Sequence, residues 1–427
     1  MSDDIRASLD SCVKCTICET FCPVSAATPL FPGPKYAGPQ AERYRAPGTS
    51  ADASLDYCSG CGICTQVCPQ GVHIAEINAQ ARARMRAERG MPLRDRLIAR
   101  PALLGRLARP VAPVANAVVR SRLARRAVEA GLGIHRDAAL PSFAFRTLQT
   151  RARRRPKPAA ATRSVVYFHG CAANYNEPGV GTMAIDVLEH NGFEVIVPPQ
   201  GCCGLPLQSN GSFEPAREHV RALVARLAPY ARAGHTIVAS STSCGLMLKR
   251  EAREILGLDD PDLALVGERL YDICELLRDL LDAGELRTDM RRLPLRIAYH
   301  QPCQGRGHGF GKPALDLLRL IPGLAVIEIE RECCGVAGTY GMKREKYPVA
   351  MAVGASLFAD IAGARADCTA CDSETCRWHI AAATGIPAVH PLELLHRAYG
   401  LHGDGARRSR PTLRASGAHP GPPRWRS

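Results

Sequence analysis

Short apolar runs alternate with amphipathic stretches over the second half of the chain. The runs are rich in valine, isoleucine and tyrosine, as buried strands are, and the stretches between them place apolar residues at helical spacing. Alternating strands and helices predict α/β units with a parallel sheet. The predicted strands are VVYF, EVIVP, TIVAS, LRIAYH, AVIEIE and ADCTAC, and the predicted helices cover 180–191, 214–232, 312–320 and 344–361.

This strand and helix pattern occurs twice, and cysteines mark each copy. A strand leads into a histidine and a cysteine, a CCG triplet follows 31 or 30 positions later, and one more cysteine follows the triplet. Because each cysteine comes after a predicted strand, we expect them at the carboxyl edge of an open sheet, where ligand sites lie. The candidate thiols are Cys171, Cys202, Cys203 and Cys244 in the first copy and Cys303, Cys333, Cys334, Cys371 and Cys376 in the second.

Two denser cysteine motifs precede the repeats. CVKCTICETFCP and CSGCGICTQVCP both have the C-x2-C-x2-C-x3-C-P spacing of bacterial two-cluster ferredoxins, in which the fourth cysteine binds the other cluster. Structural zinc is the alternative, but zinc sites typically use paired C-x2-C knuckles. The spacing predicts one [4Fe–4S] cluster on Cys12, Cys15, Cys18 and Cys68, and a second on Cys58, Cys61, Cys64 and Cys22.

Nineteen cysteines in 427 residues would suit a disulfide scaffold only in a short secreted chain. The sequence MSDDIRASLDS at the N-terminus is acidic and polar, unlike a signal peptide, which favours a cytoplasmic protein whose cysteines bind metal. No run reaches the roughly 18 apolar residues of a membrane span, so we expect any membrane contact to be peripheral or through a partner. Cys274 lies on no motif and is expected in the core.

One segment carries the whole net charge of +14. Residues 82–157 hold 20 Lys/Arg against 4 Asp/Glu, and prolines at 101, 110 and 113 divide the segment into short helices. A solvated surface of biased composition, a nucleic-acid site and a surface for anionic membranes are three interpretations. No nucleic-acid motif is present and few aromatics interleave, which disfavours nucleic acid. Apolar residues between arginines favour docking to a membrane or a partner.

These patterns together predict an α+β multidomain protein. In order, we expect a helical ferredoxin-like two-cluster domain at 1–81, a basic helical linker at 82–163, two α/β CCG (cysteine-rich) repeats at 164–290 and 291–402, and a disordered tail at 403–427.

This order of parts resembles the iron–sulfur, electron-transfer subunit of anaerobic glycerol-3-phosphate dehydrogenases, designated C, over about residues 8–400. The stretches that carry the resemblance are FPGPKYAGPQAERYR, FHGCAANYNEP, CCGVAGTYGMKREKYP and SETCRW. The CCG repeats are similar to the cysteine-rich domains of the heterodisulfide reductase subunit designated B, where a set of five cysteines binds an unusual iron–sulfur cluster or zinc. Met247 and Ser373 stand here where that pattern has its further cysteine, and Cys371 is close enough to replace the second.

The resemblance implies an electron-transfer subunit that is not catalytic alone. It implies an FAD-containing dehydrogenase partner that oxidises glycerol 3-phosphate, and delivery of the electrons to menaquinone. It also implies that the electrons are delivered at the inner face of the cytoplasmic membrane, where the protein would contact either the lipid surface or a membrane-bound subunit. The alternatives are the iron–sulfur subunit of another flavin-linked dehydrogenase, for glycolate, lactate or a heterodisulfide, and a non-enzymatic iron–sulfur protein that binds nucleic acid.

The sequence allows two functions for the CCG thiols. They are either ligands of an iron–sulfur or zinc site, or buried thiols of a structural repeat. We expect Cys333 and Cys334 to be ligands or redox thiols, with Gly335 letting the backbone turn close to the site and His300 orienting a ligand.

Overall fold

The computed structural model describes residues 3–44, 53–156, 161 and 163–401. The tail expected at 403–427 lies outside the described residues. No helix in the described part of the chain is long and apolar enough to cross a membrane.

The N-terminal domain consists of short helices that hold the two ferredoxin motifs. Pro23 begins the helix that follows Cys22, since its missing N–H and fixed φ suit the first turn of a helix. The long helix of this domain continues past residue 81, where the domain was expected to end. The N-terminal domain and the basic segment therefore share one helix. The helices are α1 (Asp3–Ser8), α2 (Ile17–Thr20), α3 (Pro23–Ala27), α4 (Ile63–Gln66) and α5 (Ile74–Arg89).

The basic segment forms several short helices, as its prolines predict. Pro101 begins one helix and Pro113 lies in the first turn of the next. Asp95 is the one carboxylate between Leu93 and Val128, and it is fully buried. The helices are α6 (Leu93–Ile98), α7 (Pro101–Ala108), α8 (Ala112–Arg120), α9 (Arg122–Leu132) and α10 (Leu148–Ala152).

The first CCG repeat contains a four-stranded parallel sheet of order β2-β1-β3-β4. Its strands are β1 (Arg163–Phe168), β2 (Phe193–Ile196), β3 (Thr236–Ala239) and β4 (Leu270–Asp272). Its helices are α11 (Gly170–Tyr175), α12 (Pro178–His190), α13 (Leu205–Ser209), α14 (Phe213–Arg232), α15 (Thr242–Leu246), α16 (Ala252–Glu254), α17 (Pro261–Arg269) and α18 (Ile273–Asp282).

The second repeat has the same topology, with the order β6-β5-β7-β8 and parallel pairing throughout. Its strands are β5 (Arg296–Tyr299), β6 (Ala325–Glu328), β7 (Cys368–Ala370) and β8 (Ala388–Val389). Its helices are α19 (Cys303–Gly307), α20 (Pro313–Arg319), α21 (Tyr347–Gly363), α22 (Glu374–Thr384) and α23 (Pro391–Ala398). The predicted strands and parallel sheets are confirmed, whereas the short edge strands β4 and β8 were not predicted.

The two repeats pack into one hydrophobic core. Val165 and Tyr167 of β1 share it with Ile297 and Tyr299 of β5, and Cys274 is buried there as expected. The chain leaves β1 for β2 on one side and returns for β3 on the other, so each sheet has a switch point beside its first strand, where a crevice opens at the carboxyl ends. The fold therefore places two crevices with cysteines on sheets that share one hydrophobic core.

Candidate iron–sulfur centres

The two ferredoxin loops have left-handed backbone at the same two positions. Gly60 and Gly62 adopt φ of 70° and 78° in the second loop, while Lys14 and Thr16 adopt 61° and 69° in the first. For residues with a Cβ this conformation costs roughly 1–2 kcal/mol each, and such strain persists where the surroundings impose a shape. The matching turns give both loops the same course around their first three cysteines.

The structure brings the fourth cysteine of each motif to the triplet of the other. Cys18 lies within electrostatic range of Cys12, Cys15 and Cys68, and burial is the main cause that raises its pKa to about 11. Below, these four residues are called the first ferredoxin set.

Cys22, at the end of the first motif, belongs spatially to the second. It interacts with Cys58, and it lies within electrostatic range of Cys61 and Cys64. Burial raises the pKa of the Cys61 and Cys64 thiols, and a bound metal cation would favour their thiolate forms. Cys22, Cys58, Cys61 and Cys64 form the second ferredoxin set.

The thiols of the first repeat gather at the switch point of its sheet. Cys171 follows β1, Cys244 follows β3, and the adjacent pair Cys202 and Cys203 follows β2. The Sγ atoms of Cys203 and Cys244 are 3.4 Å apart, and Cys202 interacts with both Cys171 and Cys203. Hydrogen bonds from these two neighbours hold the pKa of Cys202 well below its usual value. These four thiols are the first CCG set.

The thiols of the second repeat have the same arrangement. The Sγ atoms of Cys334 and Cys376 are 3.0 Å apart, and the backbone N–H of Gly335 donates to Cys333 Sγ at 3.3 Å. Cys333 interacts with Cys303, and the fully buried Cys371 interacts with Cys376. Cys303, Cys333, Cys334, Cys371 and Cys376 form the second CCG set.

A glycine with positive φ lets each adjacent pair face its site. Gly204 has φ of 84° and Gly335 has φ of 87°. A Cβ on Gly335 would lie 2.0 Å from the carbonyl oxygen of Ala350, so no larger residue fits there. The turn that the CCG triplet predicts is therefore present in both repeats.

Buried histidines with unpaired ring nitrogens stand beside the second CCG set. His300 is fully buried, neither of its ring nitrogens has a hydrogen-bond partner, and it lies within electrostatic range of Cys333 and Cys376. His379 also lies near both cysteines, and its Nε2 is unpaired. Because buried polar groups nearly always have a partner, these rings fit a bound group that offers acceptor sulfur atoms.

Among the described residues, no three sulfurs of one cysteine set lie as close together as a single tetrahedral zinc site requires. With a Zn–S bond of about 2.3 Å, the sulfurs of a tetrahedral zinc site lie about 3.8 Å apart. Within the described residues, three metal-ligating atoms come within 4.8 Å of one another at His73, Glu76 and Glu254, and in none of the cysteine sets. Arg250 pairs with both of those glutamates, so that group is an ion-pair network.

Comparison with known proteins agrees with this geometry. The family described as 4Fe-4S dicluster domain matches residues 8–72, and the family described as cysteine-rich domain matches 165–249 and 297–381. The subunit designated C in the anaerobic glycerol-3-phosphate dehydrogenase of Escherichia coli is 37% identical over 399 residues, which are 92% of this chain and 98% of that protein. The chain belongs to this family of anaerobic glycerol-3-phosphate dehydrogenase subunits.

More distantly related proteins match only about half of this chain. The subunit designated B in the fumarate reductase (CoM/CoB) of Methanothermobacter marburgensis is 31% identical over 55% of this chain and 46% of its own length. The subunit designated D in the dihydromethanophenazine:CoB–CoM heterodisulfide reductase of Methanosarcina barkeri is 27% identical over 56% of this chain and 59% of its own length. The matched domains identify this member of the dehydrogenase subunit family as an iron–sulfur protein.

The second ferredoxin set lies against the second CCG set, which the sequence did not predict. Cys61 is within electrostatic range of both Cys333 and Cys303, although more than 240 residues separate them along the chain. No spacing rule links such distant cysteines, so only the packing of the domains shows this contact.

Two buried lysines hold these domains together. Lys343 Nζ lies 2.8 Å from Asp95 of the basic segment and 2.8 Å from Asn210 Oδ1 of the first repeat. Lys346 Nζ lies 2.6 Å from Asp56 of the N-terminal domain. The stretch YGMKREKYP, which carries no metal-binding pattern, is therefore the junction of three parts of the fold.

Proposed function

We propose that the chain passes electrons from an FAD-containing glycerol-3-phosphate dehydrogenase subunit to menaquinone at the inner face of the cytoplasmic membrane. The observation that carries this proposal is the continuous series of thiol sets. It begins at Cys15, which is exposed, passes from Cys18 to Cys64, which share one hydrophobic cluster, and reaches Cys333 beside Cys61. The exposed end of this series is accessible to one partner, and the buried end is separated from it by the second ferredoxin set. This arrangement suits a protein that accepts electrons from one partner and passes them to another.

The two ferredoxin sets are the proposed ligands of two [4Fe–4S] clusters, and each CCG set is the proposed ligand set of a further iron–sulfur centre. When bound, such centres carry single electrons, so the two electrons of a flavin leave one at a time. The polypeptide holds the thiolates in place. It also keeps water away from Cys64, Cys334 and Cys376, which are buried.

The proposed entry point for electrons is an apolar surface around Cys15. Val13, Ile17 and Phe21 expose 64%, 37% and 49% of their areas on the loop and helix that carry the first motif. Exposed apolar residues grouped at one place typically mark a protein interface. We assign this surface to the flavoprotein partner, because it borders the exposed thiol of the first ferredoxin set.

The proposed membrane contact is the outer face of α6–α9. Its exposed arginines and apolar residues have no exposed carboxylate among them, because Asp95 and Glu129 are both buried. Arginines attract anionic headgroups, and apolar side chains enter the interface. The exposed apolar residues are Leu93, Leu97, Leu103, Leu107, Val111, Val114, Val118 and Leu123, and the exposed arginines are Arg96, Arg106, Arg109, Arg120, Arg122 and Arg126.

The proposal is tested by producing the chain with an FAD-containing glycerol-3-phosphate dehydrogenase subunit without oxygen. We expect the two to co-purify, and glycerol 3-phosphate to reduce a menaquinone analogue and to generate reduced iron–sulfur signals in low-temperature EPR. Phe21→Glu should weaken the complex while the iron content stays unchanged. Stoichiometric zinc without an EPR signal, or a complex that reduces artificial dyes but no quinone, would contradict the proposal.

A further inference from the structure

A cavity of about 350 Å³ lies where the three parts of the fold meet. The proposed iron–sulfur centres would fill its thiol-lined part, which leaves its apolar side for a further molecule. Three thiol sets border the cavity: Cys61 comes from the second ferredoxin set, Cys171 and Cys244 from the first CCG set, and Cys303 and Cys376 from the second. One cavity thus gives a bound molecule access to several proposed one-electron centres.

The basic segment contributes one side of the remaining wall, and this side is almost entirely apolar. Leu104 of α7 and Val119 of α8 face the cavity, and Phe143 completes this side. Their neighbours Leu103 and Val118 face outward and expose 44% and 45% of their areas. The same short helices therefore line the cavity with one face and present the proposed membrane surface with the other.

One carboxylate of the cavity wall has a free oxygen. Glu251 borders the cavity together with Gln304, and its Oε2 is closed off from solvent without a hydrogen-bond partner. Burial raises the pKa of Glu251 to about 7, with Glu76 and Glu254 acting in the same direction and Arg250 and Gln304 opposing them. Near neutral pH this side chain can hold a proton and release it.

We infer that this cavity binds the ring of a membrane quinone and that Glu251 supplies one of the protons for its reduction. The inference rests on the proposed function and adds the place where the acceptor reacts. Two electrons come from the reduced flavoprotein partner, one at a time, and two protons come from Glu251 and from solvent. Both carbonyl oxygens of the quinone become hydroxyl groups, and Glu251 is then reprotonated from water. The apolar wall suits the ring, and the adjoining helices suit a molecule that arrives from the lipid.

The binding site is tested with 2-heptyl-4-hydroxyquinoline N-oxide, a fluorescent quinone analogue, on the full-length iron-loaded protein in detergent. Ala79 of α5 lines the cavity, whereas Ala87 lies on the exposed side of the same helix, so A79F fills the cavity and A87F is the matched control. We expect A79F to weaken binding at least tenfold and A87F to leave it unchanged, with equal iron content in both. L104W fills the cavity from the opposite wall and should act like A79F.

The outcomes of this experiment separate the inference from the proposed function. If A79F and L104W bind the analogue as wild type does, or if wild type binds none, the cavity is not the quinone site. The proposed function still stands if the wild-type complex reduces quinone in that case. If the wild-type complex reduces no quinone at all, the proposed function fails as well.

The proton donor is tested with E251Q in the complex with the flavoprotein partner. We expect unchanged binding of the analogue and quinone reduction slowed about 100-fold, as for loss of a general acid. Wild-type reduction should fall as pH rises above about 7, because the donor loses its proton, and E251Q should lose this dependence. E268Q, at an exposed carboxylate outside the cavity, is the control. An E251Q complex with the wild-type rate and pH profile would overturn the assignment.

Discussion

In the first repeat, strand β3 is followed by Ser240, whereas in the second, strand β7 is followed by Cys371. Ser240 Oγ lies 2.6 Å from Tyr167 Oη, so this position holds a hydroxyl pair in the first repeat. Cys371 instead interacts with Cys376 and makes a fifth thiol. The same sheet edge thus carries a four-thiol set in one repeat and a five-thiol set in the other.

The surroundings of the two sets differ as well. The second CCG set has Cys61 of the second ferredoxin set as a neighbour and two buried histidines beside it. Cys171 and Cys244 of the first CCG set lie across the cavity, and the fully buried Met247 stands where the full pattern has a cysteine. In the proposed function, the second CCG set is therefore the one that receives electrons from the ferredoxin domain.

The largest expected effect comes from removing each adjacent pair in turn. C333S/C334S should keep both ferredoxin clusters, seen by EPR, but lose quinone reduction at least about 100-fold, or about 3 kcal/mol on the barrier. In C202S/C203S the rate of quinone reduction should fall only about tenfold, because electrons still reach the second CCG set directly from the ferredoxin domain. Quinone reduction by the complex with its flavoprotein partner measures both. Wild-type activity in the first variant would show that Cys333 and Cys334 only pack.

A comparison of the two CCG glycines should give the next largest effect. G335A places a Cβ 2.0 Å from Ala350 O, while G204A places one 2.9 Å from Ala216 O. Overpacking costs about 1–3 kcal/mol and the left-handed backbone about 1–2 kcal/mol, so both variants should be destabilised, G335A more. The midpoints of thermal unfolding of the iron-loaded variants show which of the two is destabilised more. Equal midpoints would mean that α21 shifts away easily.

The sequence predicted the two repeats and their strands well, because the repeat period and the turn residues are local signals. Helix α21 begins at Tyr347, three residues later than predicted, since Pro348 sets its first turn. The contact of Cys61 with Cys333, the cavity and the junction of Lys343 with Asp95 depend on packing between distant parts of the chain. No local pattern encodes such contacts.

A smaller effect is expected from C371A, which reduces the second set to four thiols. We expect iron at this set to be bound less tightly and its EPR signal to change, while the ferredoxin signals remain. Iron retention against a chelator measures the loss, and S373A is the matched control because that hydroxyl is a poor ligand for iron. Identical retention in C371A and wild type would mean that four thiols suffice in both repeats.

The smallest expected effect comes from S240A at the position that corresponds to Cys371. The variant removes the hydrogen bond between Ser240 and Tyr167 in a buried site, which should lower the free energy of unfolding by about 1–2 kcal/mol. Iron content and EPR signals should not change, because the hydroxyl pair belongs to the packing of the first repeat. The midpoint of thermal unfolding measures the loss of stability, and the iron content shows whether the metal site is affected. If S240A loses iron as C371A does, the two positions serve the same purpose, and the repeats differ less than their thiols suggest.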